Sequence, residues 1–447
     1  MSKKMFSLIS FVLIATFVLA SCAPAAATTA APQPTTPPQP QATAVPPTAA
    51  PQATAVPPTA VPPTAAPKAV EIKIWHQWDG AYLDAINAAF KDYMTAHPNV
   101  TITLEKPNNV TASLKVAIPA GQGPDIIGWA NDQIGTQALT GNIMALDDYG
   151  ITADFLKATY TPAAVAGVTY QGKIWALPES VEAIALVYNK AIIKDTTYLP
   201  KDSNDWPGLV AAAQQFQKDN HGKYLLCNQG FPGGDAYHIA PVFFGFGVPG
   251  YVDEQGNAYV NTPEAVQAMT WLTQISKFLP AEQTDAVCTS LFEQGKVAMR
   301  WTGPWAIAGI EKAKIDYGIF PMGKPFVGIK TLMLSKNAVD RGNQDVAIDI
   351  MKFFTSAAVQ TKIVLANKTI PAPTAALQDP DVAKLVAVVG FGAAVANGIP
   401  MSPSPFSGAQ WGPVGDAVKV VWTAKQTPQA ALDAAQKAVL TAIAGMK

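Results

Sequence analysis

Ala69-Val-Glu-Ile-Lys-Ile-Trp75 and Val100-Thr-Ile-Thr-Leu104 enclose one helical stretch, and that order decides the fold class. From Glu71 to Trp75 the residues alternate as a half-buried strand does. Asp79-Gly80 punctuates the chain, after which Leu83, Ile86, Phe90, Tyr93 and Met94 recur at helical spacing. Pro98-Asn99 stops the helix, and Val100–Leu104 reads as a second strand. Leu114–Ile118 belongs to another helix, and Pro124-Asp-Ile-Ile-Gly-Trp129 to a third strand. Strands alternating with helices imply βαβ units, hence an α/β fold with mainly parallel sheets and flanking helices.

The same pattern recurs downstream. Thr262-Pro263-Glu264 combines a cap, a first-turn proline and an acid that complements the helix dipole. Val266, Met269, Leu272 and Ile275 then share one face. Asp345–Leu365 reads as one long amphipathic helix, and Thr427-Pro428 opens a terminal helix over 430–444. Residues 69–447 exceed one comfortable hydrophobic core, so two lobes are expected.

Upstream, the chain is of another kind. Lys3 and Lys4 precede an apolar run from Phe6 to Ala20, the pattern of an export signal over residues 1–21. Leu19-Ala20-Ser21-Cys22 resembles the bacterial lipobox, which implies that Cys22 carries lipid; the alternative is an ordinary signal peptide. Residues 23–67 use only Ala, Pro, Thr, Gln and Val, and Gln-Ala-Thr-Ala-Val-Pro-Pro-Thr occurs at 41–48 and again at 52–59. Dense proline blocks helix and sheet, so residues 22–68 read as a disordered anchor and linker. Fully extended, it would reach on the order of 140 Å.

Across all 447 residues the net charge is −1, which excludes a broad basic footprint for nucleic acid. His76, His97, His221 and His238 lack the spacing of a zinc site, and no phosphate-cradling or nucleophile-elbow motif occurs, so neither metal nor cofactor is expected. Gly245-Phe-Gly247-Val-Pro-Gly250 matches a dinucleotide-binding pattern, but a turn follows where a helix is needed. Beyond Cys22 remain Cys227 and Cys288, which in an exported protein are either bridged or two buried thiols.

Among ten tryptophans, Trp129, Trp305 and Trp411 stand in turn-like contexts rather than obvious core positions. In open α/β sheets, ligands bind where loops converge at the carboxyl ends of strands. Aromatic faces beside carboxylates suit a sugar, whose C–H faces pack on rings and whose hydroxyls donate to Asp or Glu.

Gly123–Asp132, Leu177–Lys190, Phe292–Met299, Gly303-Pro-Trp305-Ala and Lys324-Pro-Phe-Val-Gly328 occur in that order and together resemble the maltose/maltodextrin-binding proteins. These are family 1 extracellular solute-binding proteins of ABC importers. The resemblance spans roughly residues 70–447. It implies a two-lobed periplasmic-binding-protein-like fold of type II with three hinge crossings. It places residues 69–182 and 327–378 in an N-lobe, and 183–326 and 379–447 in a C-lobe.

It also implies ligand contacts from Asp79, Trp129, Asp132 and Glu182 in the N-lobe, and from Trp305, Trp411 and Met401 in the C-lobe. Tyr237 or Phe231 stands for a C-lobe tyrosine. Basic residues of the family are replaced by Gly80, Gln133 and Gly415, and a pair of glutamates by Thr111 and Ala112. Trp78 and Gln77 are candidates to compensate, and a neutral ligand is favoured. The expected function is a monomeric, lipid-anchored extracytoplasmic receptor that hands an α-glucoside or related oligosaccharide to ABC permease subunits. Two other readings are a receptor of this fold for another neutral solute, and a secreted glycosidase using Glu182 with Asp132 or Asp79.

Overall fold

The computed structural model describes residues 68–194 and 196–446. The export signal, Cys22 and the linker through residue 67 lie outside the described residues.

Eleven strands carry the architecture: β1 (Val70–His76), β2 (Val100–Glu105), β3 (Ile126–Ala130), β4 (Leu177–Glu182), β5 (Ala185–Asn189), β6 (Tyr224–Cys227), β7 (Val297–Thr302), β8 (Tyr317–Phe320), β9 (Phe326–Leu334), β10 (Ile370–Pro371) and β11 (Ile399–Pro400). The larger sheet runs β10-β4-β9-β3-β1-β2, with β11 added to β9; the smaller runs β8-β5-β7-β6. Each has its own hydrophobic core. In β1 the alternation buries Ile72 and Ile74 completely and leaves Glu71 outside. Strands β4 and β9 are buried along their whole length, as central strands covered on both faces must be.

The sheets are mixed rather than mainly parallel. β1 pairs parallel with β2 and β3, as the first βαβ units require. β9 returns from the smaller sheet and inserts antiparallel between β3 and β4. In the smaller sheet only β6 and β7 are parallel, because β5 arrives running in the opposite sense. The reversed sense of the crossing strands overrides the local βαβ pattern.

The chain passes from β4 to β5 through Ala183 and Ile184, both fully buried, and from β8 to β9 through residues 321–325. Its last passage comes later than the lobe boundary at residues 378 and 379 that the resemblance implies. Short helices Thr374–Leu377 and Pro380–Ala383 both pack on α1 (Ala357–Asn367), which lies against the larger sheet's helices. Only after β11 pairs with β9 does the chain enter α2 (Trp411–Trp422), in the smaller lobe's core. The helix expected over 345–365 is two helices, Gln344–Phe354 and α1. The Ser356 side chain accepts from the Val359 N–H and so caps α1, a local bond that competes with helix continuation. The terminal helix, Pro428–Ala444, starts at a Thr427 cap as expected. Among the described residues no helix is long and apolar enough to cross a membrane, and no cluster of His, Cys, Asp or Glu is arranged to hold a metal.

Candidate functional site

A cleft of about 760 Å³ opens where the carboxyl ends of β1, β3 and β4 face the smaller lobe. β1 delivers Gln77 and Asp79, β3 delivers Trp129 and Asp132, and β4 ends on Glu182. Across from them stand Tyr237, at the start of a helix over Ala236–Gly245, Trp305 just past β7, and Trp411 at the first residue of α2. Met401, just past β11, is buried at the edge of the cleft. Its carbonyl accepts a 2.7 Å hydrogen bond from Asn131 Nδ2, whose Oδ1 in turn takes the Ile329 N–H at 3.0 Å.

Asp132 is the hub of the larger lobe's wall. Its Oδ2 accepts from Gln133 Nε2 at 2.9 Å and from Trp411 Nε1 at 2.9 Å. Gln133 Oε1 accepts from the Thr111 hydroxyl at 3.2 Å. Thr111 and Gln133, two of the departures from the family's charged pattern, are thus joined in one uncharged relay. Burial pushes the Asp132 pKa up to about 6, against the bonds from Gln133 and Trp411 that favour its carboxylate.

The smaller lobe's wall is aromatic. Trp305, Tyr237, Phe326 and Trp411 follow one another with ring centroids 6.3, 6.2 and 5.6 Å apart. Trp305 folds back over Gly303, where a Cβ would strike the indole, so the Gly303-Pro304 turn fixes the ring's position.

The floor carries charges that the sequence reading missed. Lys330 Nζ lies 3.1 Å from Glu182 Oε1, with both side chains almost entirely buried. The ammonium also sits 4.6 Å from the Tyr82 ring and 5.7 Å from the Trp305 ring. Behind it, Glu179 accepts from the Tyr82 hydroxyl and, at 3.2 Å, from Trp78 Nε1. Burial raises the Glu179 pKa to about 7, against the Lys330 charge and the two donors. Burial also raises that of Glu182, which Lys330 again opposes. The sequence signal for Lys330 was a lone lysine inside the apolar run Phe326–Leu334.

A histidine–aspartate contact and an ion pair line the smaller lobe's side. His238 Nδ1 is 2.7 Å from Asp235 Oδ2, and Arg300 pairs with Asp285. Burial works against the Asp235 charge, yet His238 and the hydrogen bonds around it hold its pKa well below the usual carboxylate range. Nearby, Cys288, one turn along the helix from Asp285, is bridged to Cys227 with Cα atoms 5.5 Å apart.

Gln77, Asp79, Trp129, Asp132 and Glu182 therefore share one cleft with Tyr237, Trp305, Met401 and Trp411. Asp79 is exposed at its mouth and ion-paired with Lys106. Trp78 is not part of the lining. It is 1% exposed, packed on His76, Phe90 and Phe354, because at the end of β1 it points into the core while Gln77 points out. Phe231 is likewise buried, among Trp271, Trp301 and Trp422, which leaves the cleft position to Tyr237.

Residues 88–389 match a family model described as bacterial extracellular solute-binding protein. The chain is 30% identical over 361 residues to a maltotriose-binding protein of Pyrococcus abyssi, covering 78% of this chain and 76% of that one. It is 27% identical over 391 residues to a galactooligosaccharide-binding protein of Bacillus subtilis, covering 82% and 88%. Among solved structures, the maltose/maltodextrin-binding domain of Bdellovibrio bacteriovorus, bound to maltotriose, superposes with a TM-score of 0.75 at 22% identity, over 84% of this chain and 100% of that one.

Proposed function

The chain belongs to the bacterial extracellular solute-binding proteins, and on that premise we propose that it is a lipid-anchored receptor that captures a neutral oligosaccharide of the maltodextrin type for an ABC importer. The observation that carries the reading is the cleft itself. Trp129, Asp132 and Glu182 on one wall face Tyr237, Trp305 and Trp411 on the other. Its volume falls in the ~300–1,000 Å³ range of small-molecule sites. The rings and carboxylates that line it supply both things a pyranose needs: flat apolar surface for its C–H faces and strong acceptors for its hydroxyls.

Binding couples to closure of the lobes. A saccharide that touches both walls stabilises the closed form by its differential contacts, and only by those. The three chain crossings are the points that absorb the rotation. The bond from Trp411 to Asp132 joins the two walls, and in this reading closure is what brings its two partners together. Cys22 is the anchor in this reading, and the proline-rich segment the tether that lets the receptor reach its permease.

Thermal-shift and calorimetric titration with maltose, maltotriose, maltotetraose, trehalose and a galacto-oligosaccharide tests the proposal. A ligand at a hundredfold its Kd stabilises the folded chain by about 2.7 kcal/mol. Saturable binding of at least one α-glucan is the expected result. Binding of none of the five saccharides rejects the reading, and release of shortened products from them would turn it toward hydrolysis.

A further inference from the structure

The floor of the cleft is built from an irregularity in the larger sheet. In the β4–β9 pairing, Ser180 stands opposite Lys330 and Pro178 opposite Thr331, so Glu179 is an extra residue with no partner in the ladder. In a regular strand Glu179 and Glu182, three positions apart, would face opposite sides of the sheet. The extra residue reverses that parity, as β-bulges do when they re-aim a side chain. Pro178, which has no N–H to give the ladder, sits at the tolerated place for it. The outcome is that both carboxylates act on the same ammonium, that of Lys330.

Lys330 is poorly supplied in return. Its ammonium has three donors. Among the described residues its ion-pair partner is Glu182 Oε1, 3.1 Å away, a buried oxygen that itself lacks a hydrogen-bond partner; Glu179 is occupied by Tyr82 and Trp78. Its other near neighbours are the Tyr82 and Trp305 rings, which offer faces and no lone pairs. A buried ammonium with unused donors on the floor of a cleft, directly beside a stacking ring, is completed by oxygen acceptors on whatever lies on that ring.

Resting on the saccharide reading above, we propose that Lys330 is a ligand-contacting, specificity-determining residue. With Glu182 it clamps two adjacent hydroxyls of the pyranose seated against Trp305: Lys330 donates to one oxygen, and Glu182 accepts from the neighbouring hydroxyl. Glu179, on its bulge, is the positioning residue that holds the ammonium in place. The clamp takes an uncharged diol rather than an anion, because Glu182 lines the floor beside the ammonium and Glu179 lies buried behind it. A sugar lacking either hydroxyl leaves a buried charge unpaired, which is how polar sites reject close analogues.

Calorimetry with the intact chain tests this, using the saccharide of the five-member panel that the wild type binds most tightly and its monodeoxy analogues. Lys330→Met is expected to weaken that saccharide at least tenfold while the apparent melting temperature stays within a few degrees, and Lys330→Arg to retain more affinity than Lys330→Met. One monodeoxy analogue should bind the wild type much more weakly than the parent sugar, yet bind Lys330→Met almost as well as the parent does. If Lys330→Met does not fold, the double variant Lys330→Met/Glu179→Gln relieves the carboxylate repulsion and gives the same readout. Affinity of the variant within twofold of wild type, or equal losses for every analogue in both proteins, overturns the clamp alone. A wild type that binds no saccharide overturns the parent reading and the clamp with it.

Discussion

The indole N–H of Trp411 donates to Oδ2 of Asp132 across 2.9 Å, joining residues 279 positions apart from opposite walls of the cleft. The bond does two things at once. It orients a stacking ring, and it stabilises a carboxylate that burial disfavours. Trp411→Phe keeps the ring and removes the donor, so it isolates the second effect. A hydrogen bond to a charged group contributes about 1.5–3 kcal/mol. The expected result is a loss of roughly tenfold or more in sugar affinity at pH 7.5, with a larger loss for Trp411→Ala, both read by calorimetry.

Asp132 also makes affinity depend on pH. Its folded pKa, about 6, stands above its ordinary value of 3.8. Between those values the unfolded chain has released a proton that the folded chain still holds. The ligand-free protein therefore loses stability as pH rises through this window, by on the order of 3 kcal/mol in total, and the penalty is constant above it. Sugar hydroxyls that donate to Asp132 need its carboxylate, so affinity runs the other way and falls as pH drops below about 6. Asp132→Asn should remove the Asp132 share of both trends, leaving those of Glu179 and Glu182. It is expected to be at least as stable as wild type at pH 7 without ligand, and to bind more weakly with a flatter pH profile. Titrations from pH 4.5 to 8 in both proteins check the sign.

Trp129 and Trp305 are partly exposed to the cleft, in contrast to Trp78 and Trp301, which are core. Covering half an indole removes on the order of 100 Å² from water, worth about 2.5 kcal/mol. Trp129→Ala and Trp305→Ala should each weaken binding by one to two decades, with urea midpoints close to wild type. Unchanged affinity in both variants would refute the site.

The parts of this fold that local pattern controls were legible. Alternation in β1 and β2, helical spacing after Gly80, and the Thr427 cap follow from periods and caps that a few residues set. The parts that depend on distant chain were not. The antiparallel insertion of β9 depends on the path between lobes, which no window of sequence records. Trp78 and Gln77 are neighbours with opposite fates because one residue of register separates core from cleft. Lys330 is a lone charge in an apolar strand by sequence, and only the folded sheet pairs it with Glu182 and puts the bulge residue Glu179 behind it. The ring wall was half visible: Trp305 and Trp411 stood out by their turn contexts, whereas Phe326 joins them only through the smaller lobe's packing.

The Cys227–Cys288 bridge closes a loop of 61 residues beside the Asp285–Arg300 end of the cleft. By loop-closure entropy a bridge of this span contributes about 4 kcal/mol. Cys227→Ala/Cys288→Ala should lower the urea midpoint accordingly, and dithiothreitol should reduce wild-type stability toward that of the double variant without affecting it further. A midpoint insensitive to both would show that the surrounding core, with Val297 fully buried beside the bridge, suffices without it.

Gly415 stands where the resemblance implies an arginine, and its surroundings leave no room for a side chain. A Cβ at Gly415 would run into the carbonyl oxygen of Gly234, and Gly234 itself has a φ of +72° that favours glycine. The Gly233-Gly234 loop packs on α2 and occupies the space a side chain at position 415 would need. Restoring the charge with Gly415→Arg is therefore expected to displace that loop, with Asp235 and Tyr237 just beyond it. A backbone clash of this kind costs about 1–3 kcal/mol, so the melting temperature should fall and sugar affinity with it, even though a cation has been returned to the cleft. Gly415→Ala, which carries the clash without the charge, separates the causes. If Ala is as stable as wild type and Arg binds more tightly, the two glycines do not constrain each other in the way their packing implies.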